Sequence, residues 1–403
     1  MKENPLNHGR ICIYCLQRKA SADFSLEHII PRFMGGNGTC ADATTREVCR
    51  KCNSLMGRFV DAPVAKGFFQ NSIENRAWQH CLDFDEASGN VFPLTYFGKS
   101  KEITFGPDEE VEVWLCPDGG TVWHIHTKQP EDYDAMAGGD PFLSRKDAAS
   151  RVYAFNASPH PYWLFSNFKS VTAHFSDEPI FLGADSDIED QLLNSRTGGK
   201  LCKKDAIALR ERDFIRALLD KGGRLGHELK LDLLFDIRFL AKLALAFGYR
   251  LLGERFGRLQ YTNRLRNLLW TRRSDIPSTS HDIRMMSYFQ GLGEKSPMKS
   301  LSIPLGFVFL LSSFKEGIVL SIVFPSGHST QVSITDPTID PEAISFGRTF
   351  QDRVLVSIPQ LTKIIGPFRP MDYIAWVGGQ HKIPELDQLM NSITIRSLLP
   401  SLR

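Results

Sequence analysis

Two cysteine pairs, Cys12-x-x-Cys15 and Cys49-x-x-Cys52, constrain this chain more than any other feature; 33 residues separate them. A CxxC turn places two thiolates about one metal–sulfur bond length from a common point, and two such turns complete a closed tetrahedral site. The expected ion is a structural Zn²⁺ held by Cys12, Cys15, Cys49 and Cys52. In so short a module the metal would supply much of the folding free energy. The other four cysteines, Cys40, Cys81, Cys116 and Cys202, are scattered. Met1–Pro5 shows no apolar signal core, and 403 residues is far too long for a disulfide scaffold, so reduced thiols in the cytoplasm are expected.

Charge is distributed unevenly. The whole chain carries +2, but residues 1–60 hold nine Lys/Arg against five acids. A basic N-terminal module on a near-neutral body fits a phosphate-binding head. Leu231–Leu252 is the longest apolar-rich run, and it is interrupted by Asp232, Asp236, Arg238, Lys242 and Arg250, which excludes a membrane span there.

Between the cysteine pairs the sequence runs Ser25-Leu26-Glu27-His28-Ile29-Ile30-Pro31-Arg32-Phe33-Met34-Gly35-Gly36-Asn37, and Asn53 directly follows Cys52. These residues resemble the HNH, or ββα-metal, endonucleases, in the zinc-stabilised form bracketed by two CxxC pairs. Glu27-His28, Pro31, Gly35-Gly36 and Cys49-Arg50-Lys51-Cys52-Asn53 match in order over about 50 residues. Three positions depart from the pattern: Glu27 replaces the commoner Asp, Thr44 stands where the middle Asn is expected, and Asn53 takes the place of the last His. Thr44 or Asn37 is the candidate to hold the loop instead.

The resemblance implies a metal-dependent DNA hydrolase. Imidazole titrates near neutrality, which suits His28 as the general base that takes a proton from the attacking water. Glu27 and Asn53 would offer oxygen ligands to a hard cation, Mg²⁺ or Mn²⁺, on the scissile phosphate. Neighbouring side chains on a strand point to opposite faces, so Glu27 and His28 can share a site only where the strand ends or bends. Arg32, Arg46, Arg50, Lys51 and Arg58 are candidate phosphate contacts. A single site of this kind serves one strand, so a homodimer or higher oligomer, or a nickase, is expected, in a setting such as restriction or anti-phage defence. The alternatives are a non-catalytic zinc module docking nucleic acid or protein, and an RNA-directed nuclease.

The fold class read from the chain is α+β: a zinc-bound ββα-metal module followed by a large mixed C-terminal region. The expected divisions are 1–83, the module with a connecting amphipathic helix over Val64–Asp83; 84–185, mainly β; 186–275, helical; and 276–403, mixed. Residues 84–403 together could recognise substrate, a partner protein or a trigger. A helix is expected over about Asn53–Asp61. Val111–Leu115 and Thr121–His126 alternate around the turn Pro117-Asp118-Gly119-Gly120 and predict a hairpin. His124 and His126 share a face of its second strand, as a metal pair or as a packed or surface pair. Val152–Phe155, Tyr162–Phe165, Gly306–Ser312, Ile318–Phe324, Gln331–Ile334 and Val354–Ile358 read as strands. Ile207–Leu219 and Leu229–Leu252 read as helices, and Arg255–Trp270 as a basic-aromatic run that either lines a DNA path or forms a solvated helix with an apolar stripe.

Overall fold

The computed structural model describes residues 9–36, 40–65, 92, 94–128, 150–158, 161–175, 180–182, 205–221, 226–228, 233–270, 283–286, 297–303, 306–314 and 317–397. The chain forms two compact units, one of Met1–Val64 with Leu233–Arg403, the other of Ala65–Asp232. Most of Val64–Asp83, read as a connecting helix, lies outside the described residues, as does Asn37.

The first unit begins with two small antiparallel hairpins. β1 (Arg10–Ile11) pairs with β2 (Arg18–Lys19), and β3 (Phe24–His28) pairs with β4 (Thr44–Cys49). Helix α1 (Arg50–Met56) starts at once, three residues earlier than Asn53, and continues through a π-helical turn over Gly57–Asp61 into Ala62–Ala65. Two hairpins and a helix give the ββα order expected of the module.

The second unit is built on a six-stranded sheet. Its strands are β5 (Thr95–Ser100), β6 (Glu109–Leu115), β7 (Thr121–Thr127), β8 (Ser150–Phe155), β9 (Ile180–Leu182) and β10 (His227–Glu228), in the spatial order β10-β5-β6-β7-β8-β9. All neighbours are antiparallel except β8 and β9. The period-two pattern gives the sheet two apolar faces. Helix α2 (Pro161–His174) covers one, through Phe168 and Val171 against Trp114, Val122 and Ala154. Helix α3 (Ala206–Asp220) covers the other, through Ala208 and Ile215 against Val113, Trp123 and Tyr153. Asp205 caps α3, accepting from the N–H groups of Ile207 and Ala208. Tyr162–Phe165, expected as a strand, is the start of α2. That run is apolar enough for either element, and periodicity cannot separate a short buried strand from one turn of a buried helix.

The chain then returns to the first unit. Helix α4 (Leu233–Leu252) is buried without interruption from Phe239 to Phe247, Lys242 included, as expected of a helix enclosed on all sides. It packs against α5 (Gln260–Trp270), the strand β4 and the π-helical turn of the N-terminal module, and one strand of the closing sheet. That sheet contains β11 (Met285–Met286), β12 (Phe307–Phe314), β13 (Gly317–Val323), β14 (Ser329–Ser333), β15 (Arg353–Ile358) and β16 (Lys363–Phe368), antiparallel throughout in the order β11-β14-β13-β12-β15-β16. Helices α6 (Ala343–Thr349), α7 (Pro370–Val377) and α8 (Pro384–Ser397) follow or interrupt it. Among the described residues no helix is long and apolar enough to cross a membrane.

Candidate active site

The hairpin β1–β2 carries Cys12 and Cys15 in its turn, while Cys49 ends β4 and Cys52 sits in the first turn of α1. The four sulfurs lie within 4.8 Å of one another, three of the cysteines buried and Cys15 partly exposed. Leu16 closes the first knuckle in the left-handed region at φ 56°, and its N–H donates to Cys12 O at 2.8 Å. The Cys49 N–H donates to Cys12 Sγ at 3.4 Å, and Lys19 Nζ reaches Cys49 Sγ at 3.2 Å. A hydrogen bond from Cys52 draws the Cys12 thiol down to about 4, and the same contact with Cys12 pushes the Cys52 thiol up. Four sulfurs this close together match the closed tetrahedral thiolate set of a structural Zn²⁺ site. The donor set fits it.

The zinc module is held by the second half of its own unit. Arg266 Nε donates to Ile13 O at 2.9 Å and Trp270 Nε1 to Tyr14 O at 3.0 Å, so α5 grips the backbone between Cys12 and Cys15. Two residues of the basic-aromatic run thus serve the knuckle, and Leu259, Tyr261, Leu265 and Leu268 form its buried stripe. The loop after β3 is braced in the same way. Ser357 Oγ donates to Met34 O, and Arg353 Nη1 pairs with Asp42 at 2.9 Å. Gly35 is needed here: its φ is +86°, and a Cβ would stand 2.3 Å from Ser357 Oγ.

Strand β3 is irregular just ahead of Glu27-His28. Its ladder runs Ser25 with Val48, then Glu27 with Thr45 and His28 with Thr44, with a register shift between Ser25 and Glu27. This bulge precedes both motif residues, and His28 is the last residue of the strand. Glu27 is 2% exposed, and His28 is half-buried at the last strand position. Thr44 stands directly across the ladder from His28, with its hydroxyl 3.4 Å from Cys40 O. Asn53 reaches from α1 across the bulge, and its Nδ2 donates to Ser25 Oγ at 2.9 Å and Leu26 O at 2.8 Å.

Glu27 meets a partner that lay unnoticed in the sequence. Lys242 Nζ, on α4, is 2.9 Å from Glu27 Oε1 and 2.6 Å from Asp61 Oδ2, and the lysine is 1% exposed. Tyr14 OH donates to Glu27 at 3.4 Å. Burial alone would push Lys242 down, but the two carboxylates outweigh it and hold the ammonium above its usual value. Burial pushes the Glu27 carboxyl up, with Lys242 opposing. Asp61, at the end of the helix expected from the sequence, belongs to this network. The sequence signal for Lys242 was a charge in the most apolar part of a helix, which a buried countercharge makes tolerable.

Among the described residues, two groups of at least three His, Cys, Asp or Glu side chains place ligand atoms within 4.8 Å of one another: the four cysteines, and Glu112 with His124 and His126. Glu27 is in neither. With Lys242 in place, Glu27 does not fit as a ligand for a divalent cation. The five predicted phosphate contacts are all exposed: Arg32 after β3, Arg46 on β4, Arg50 and Lys51 opening α1, and Arg58 in the π-helical turn. Lys51 also lines, with Lys19, Asn267 and Trp270, an open cavity of about 470 Å³ beside Cys15 and Cys52.

Residues 12–69 match the family model described as HNH endonuclease. The N-terminal module is an HNH domain. The match ends at residue 69, so it describes the module alone. No curated protein and no solved structure matches the chain.

Proposed function

We propose that the HNH module is a DNA endonuclease in which His28 is the general base. The observation that carries this reading is the placement of His28 at the bulged end of β3 in a domain of matched family, half-buried, with Thr44 opposite and Asn53 pinning the bulge. His28 takes a proton from a water that attacks phosphorus, the P–O bond to the 3′ oxygen breaks, and that oxygen takes a proton from solvent, leaving a 5′ phosphate and a 3′ hydroxyl. Asn53 acts as a positioning residue, since its amide nitrogen is committed to Ser25 and Leu26. Arg32, Arg46, Arg50, Lys51 and Arg58 hold the backbone phosphates without reading bases. A divalent ion, Mg²⁺ or Mn²⁺, would supply charge stabilisation at the phosphate when bound. It would bind at Glu27 only by displacing Lys242.

The assay is cleavage of plasmid DNA by the full chain with Mg²⁺ or Mn²⁺, in parallel with RNA. Wild type should cut, and His28→Ala should lose about 10²–10⁴-fold in rate, the usual contribution of a general base. Equal activity of the two proteins would refute the role of His28. Nicked against linear product separates a single head from a paired one, the latter implying a dimer.

Two observations favour a second reading, a non-catalytic zinc module that docks nucleic acid, within a defence or other setting. Lys242 occupies Glu27, and Thr44 replaces the expected Asn. Under that reading neither protein cuts, and both retain DNA with equal, strongly salt-dependent affinity.

A further inference from the structure

The hairpin β6–β7 contains a second constellation, in the unit that the HNH domain does not share. Glu112 on β6 is the direct cross-strand partner of His124 on β7, and His126 lies two residues further on the same face. All three are buried: Glu112 and His124 at 0% and His126 at 1% exposed. They lie on the side of the sheet covered by α2, among Tyr96, Trp114, Val122 and Phe175.

Three charged or chargeable groups enclosed in an apolar layer need a reason to be there. Hydrogen bonding among them is a weak one. His124 Nδ1 is 3.4 Å and His126 Nε2 3.7 Å from the same Glu112 oxygen, Oε2. Good N–H···O bonds lie at about 2.7–3.2 Å. The spacing suits a different relation: two ligands of one tetrahedral zinc, each about 2.0–2.1 Å from it, stand about 3.3 Å apart. The 3.4 and 3.7 Å separations come close to that, and all three ligand atoms lie within 4.8 Å of one another.

The tautomer of His126 points the same way. Its Nδ1 lies 2.8 Å from the backbone oxygen of Thr127, so Nδ1 carries the proton and Nε2 presents a lone pair. Nε2 is buried and makes no hydrogen bond. A lone pair facing a carboxylate in a buried site is repulsive until a metal ion or a proton sits between them. Metal-bound imidazoles characteristically donate their other ring nitrogen to a carbonyl in this way. Tyr96 OH stands 3.4 Å from the other carboxylate oxygen of Glu112.

We propose that Glu112, His124 and His126 bind a divalent transition-metal ion, zinc by preference, at a site distinct from the four cysteines. Two imidazoles and one carboxylate form a borderline N/O donor set that suits Zn²⁺ and disfavours Mg²⁺ or Ca²⁺. Enclosure under α2 makes the ion structural, tying β6 to β7 beneath the helix.

The full chain, stripped with a chelator and reloaded with Zn²⁺, is the test material. Mass spectrometry of bound metal should find about two zinc ions per folded chain, one for the cysteines and one here, falling to about one in Glu112→Gln and in His126→Gln. One zinc per chain in wild type, lost on Cys49→Ser, would overturn the site. If the variants fail to fold, X-ray absorption on wild-type zinc decides alone. A mixed shell, with nitrogen or oxygen at about 2.0–2.1 Å beside sulfur at about 2.3 Å, supports the proposal, and sulfur alone refutes it.

Discussion

Glu27 and Glu112 are both buried glutamates in strands of antiparallel hairpins, and they meet opposite surroundings. Glu27 faces an ammonium, Lys242, which also holds Asp61. Glu112 faces two imidazoles and a phenol. Glu27 has a permanent ammonium among its partners, while the partners of Glu112 include imidazoles, which become favourable to it by binding a cation or a proton. The carboxylate beside the motif histidine was the natural candidate for a metal ligand, yet the donor set that fits an ion lies elsewhere. Whether a buried carboxylate binds metal is decided by what stands opposite it, and local motif spacing does not report that.

The largest effect should come from removing the counter-ion of the first glutamate. Lys242→Met leaves Glu27 buried and Asp61 without its partner, and breaking a buried pair costs about 3–5 kcal/mol. Equilibrium urea unfolding measures this as a lowered midpoint at pH 8. The pH dependence has a definite sign. The folded carboxyl of Glu27 is already raised by burial, and losing Lys242 raises it further. A group raised in the folded state contributes stability that is present below its unfolded value, about 4.3, and lost as pH rises through the folded value. The deficit of Lys242→Met should therefore shrink as pH falls from 8 towards 5. A deficit independent of pH would mean that Lys242 acts by packing and that the contrast between the two glutamates is misdrawn.

Glu112→Gln should behave differently, and conditionally. In chelator-treated protein it removes a buried charge from an apolar layer and should change the midpoint little, or raise it. In zinc-loaded protein it should forfeit the stabilisation by bound ion, about 2.7 kcal/mol at a free zinc concentration 100 times the dissociation constant. Thermal melts of wild type and variant, with and without zinc, give the four values. Equal loss in both conditions would make Glu112 a hydrogen-bonding residue and erase the comparison.

Much of this was legible in the chain, and the limit has a physical form. The cysteine pairs, the Glu27-His28 step and Asn53 are local, and each reports a turn or a strand end. The α+β class and most of the alternating strands followed from periodicity, as did α3 and α4. The failures are contacts between distant segments. Lys242 could be read as a charge interrupting an apolar helix, but its partners are 181 and 215 positions away in the sequence, at Asp61 and Glu27. Arg266 and Trp270 were visible as a basic-aromatic run, and only the fold shows them bound to the backbone of Ile13 and Tyr14. Glu112 was the nearest miss. The hairpin and the shared face of the two histidines were both apparent, and counting register back from the turn would have set Glu112 opposite His124. Thr44 remains the point where the motif itself departs, opposite His28 in the ladder.

The smallest expected effect tests whether the loop following His28 depends on the rest of its unit. Ser357 on β15 donates to Met34 O, beside Gly35, whose left-handed turn accommodates the hydroxyl. Ser357→Ala removes that bond and leaves a buried carbonyl without this donor, which costs about 1–3 kcal/mol, towards the lower end if the loop shifts to reach water. The informative readout is the ratio of two losses. If β15 braces only the loop, stability should fall by that amount while zinc content stays unchanged, and plasmid cleavage should fall by more than the folded fraction does. A loss of cleavage no greater than the loss of folded protein would mean that the His28 end of β3 is held by Asn53 and the bulge alone. The contribution of the distant sheet would then be confined to stability.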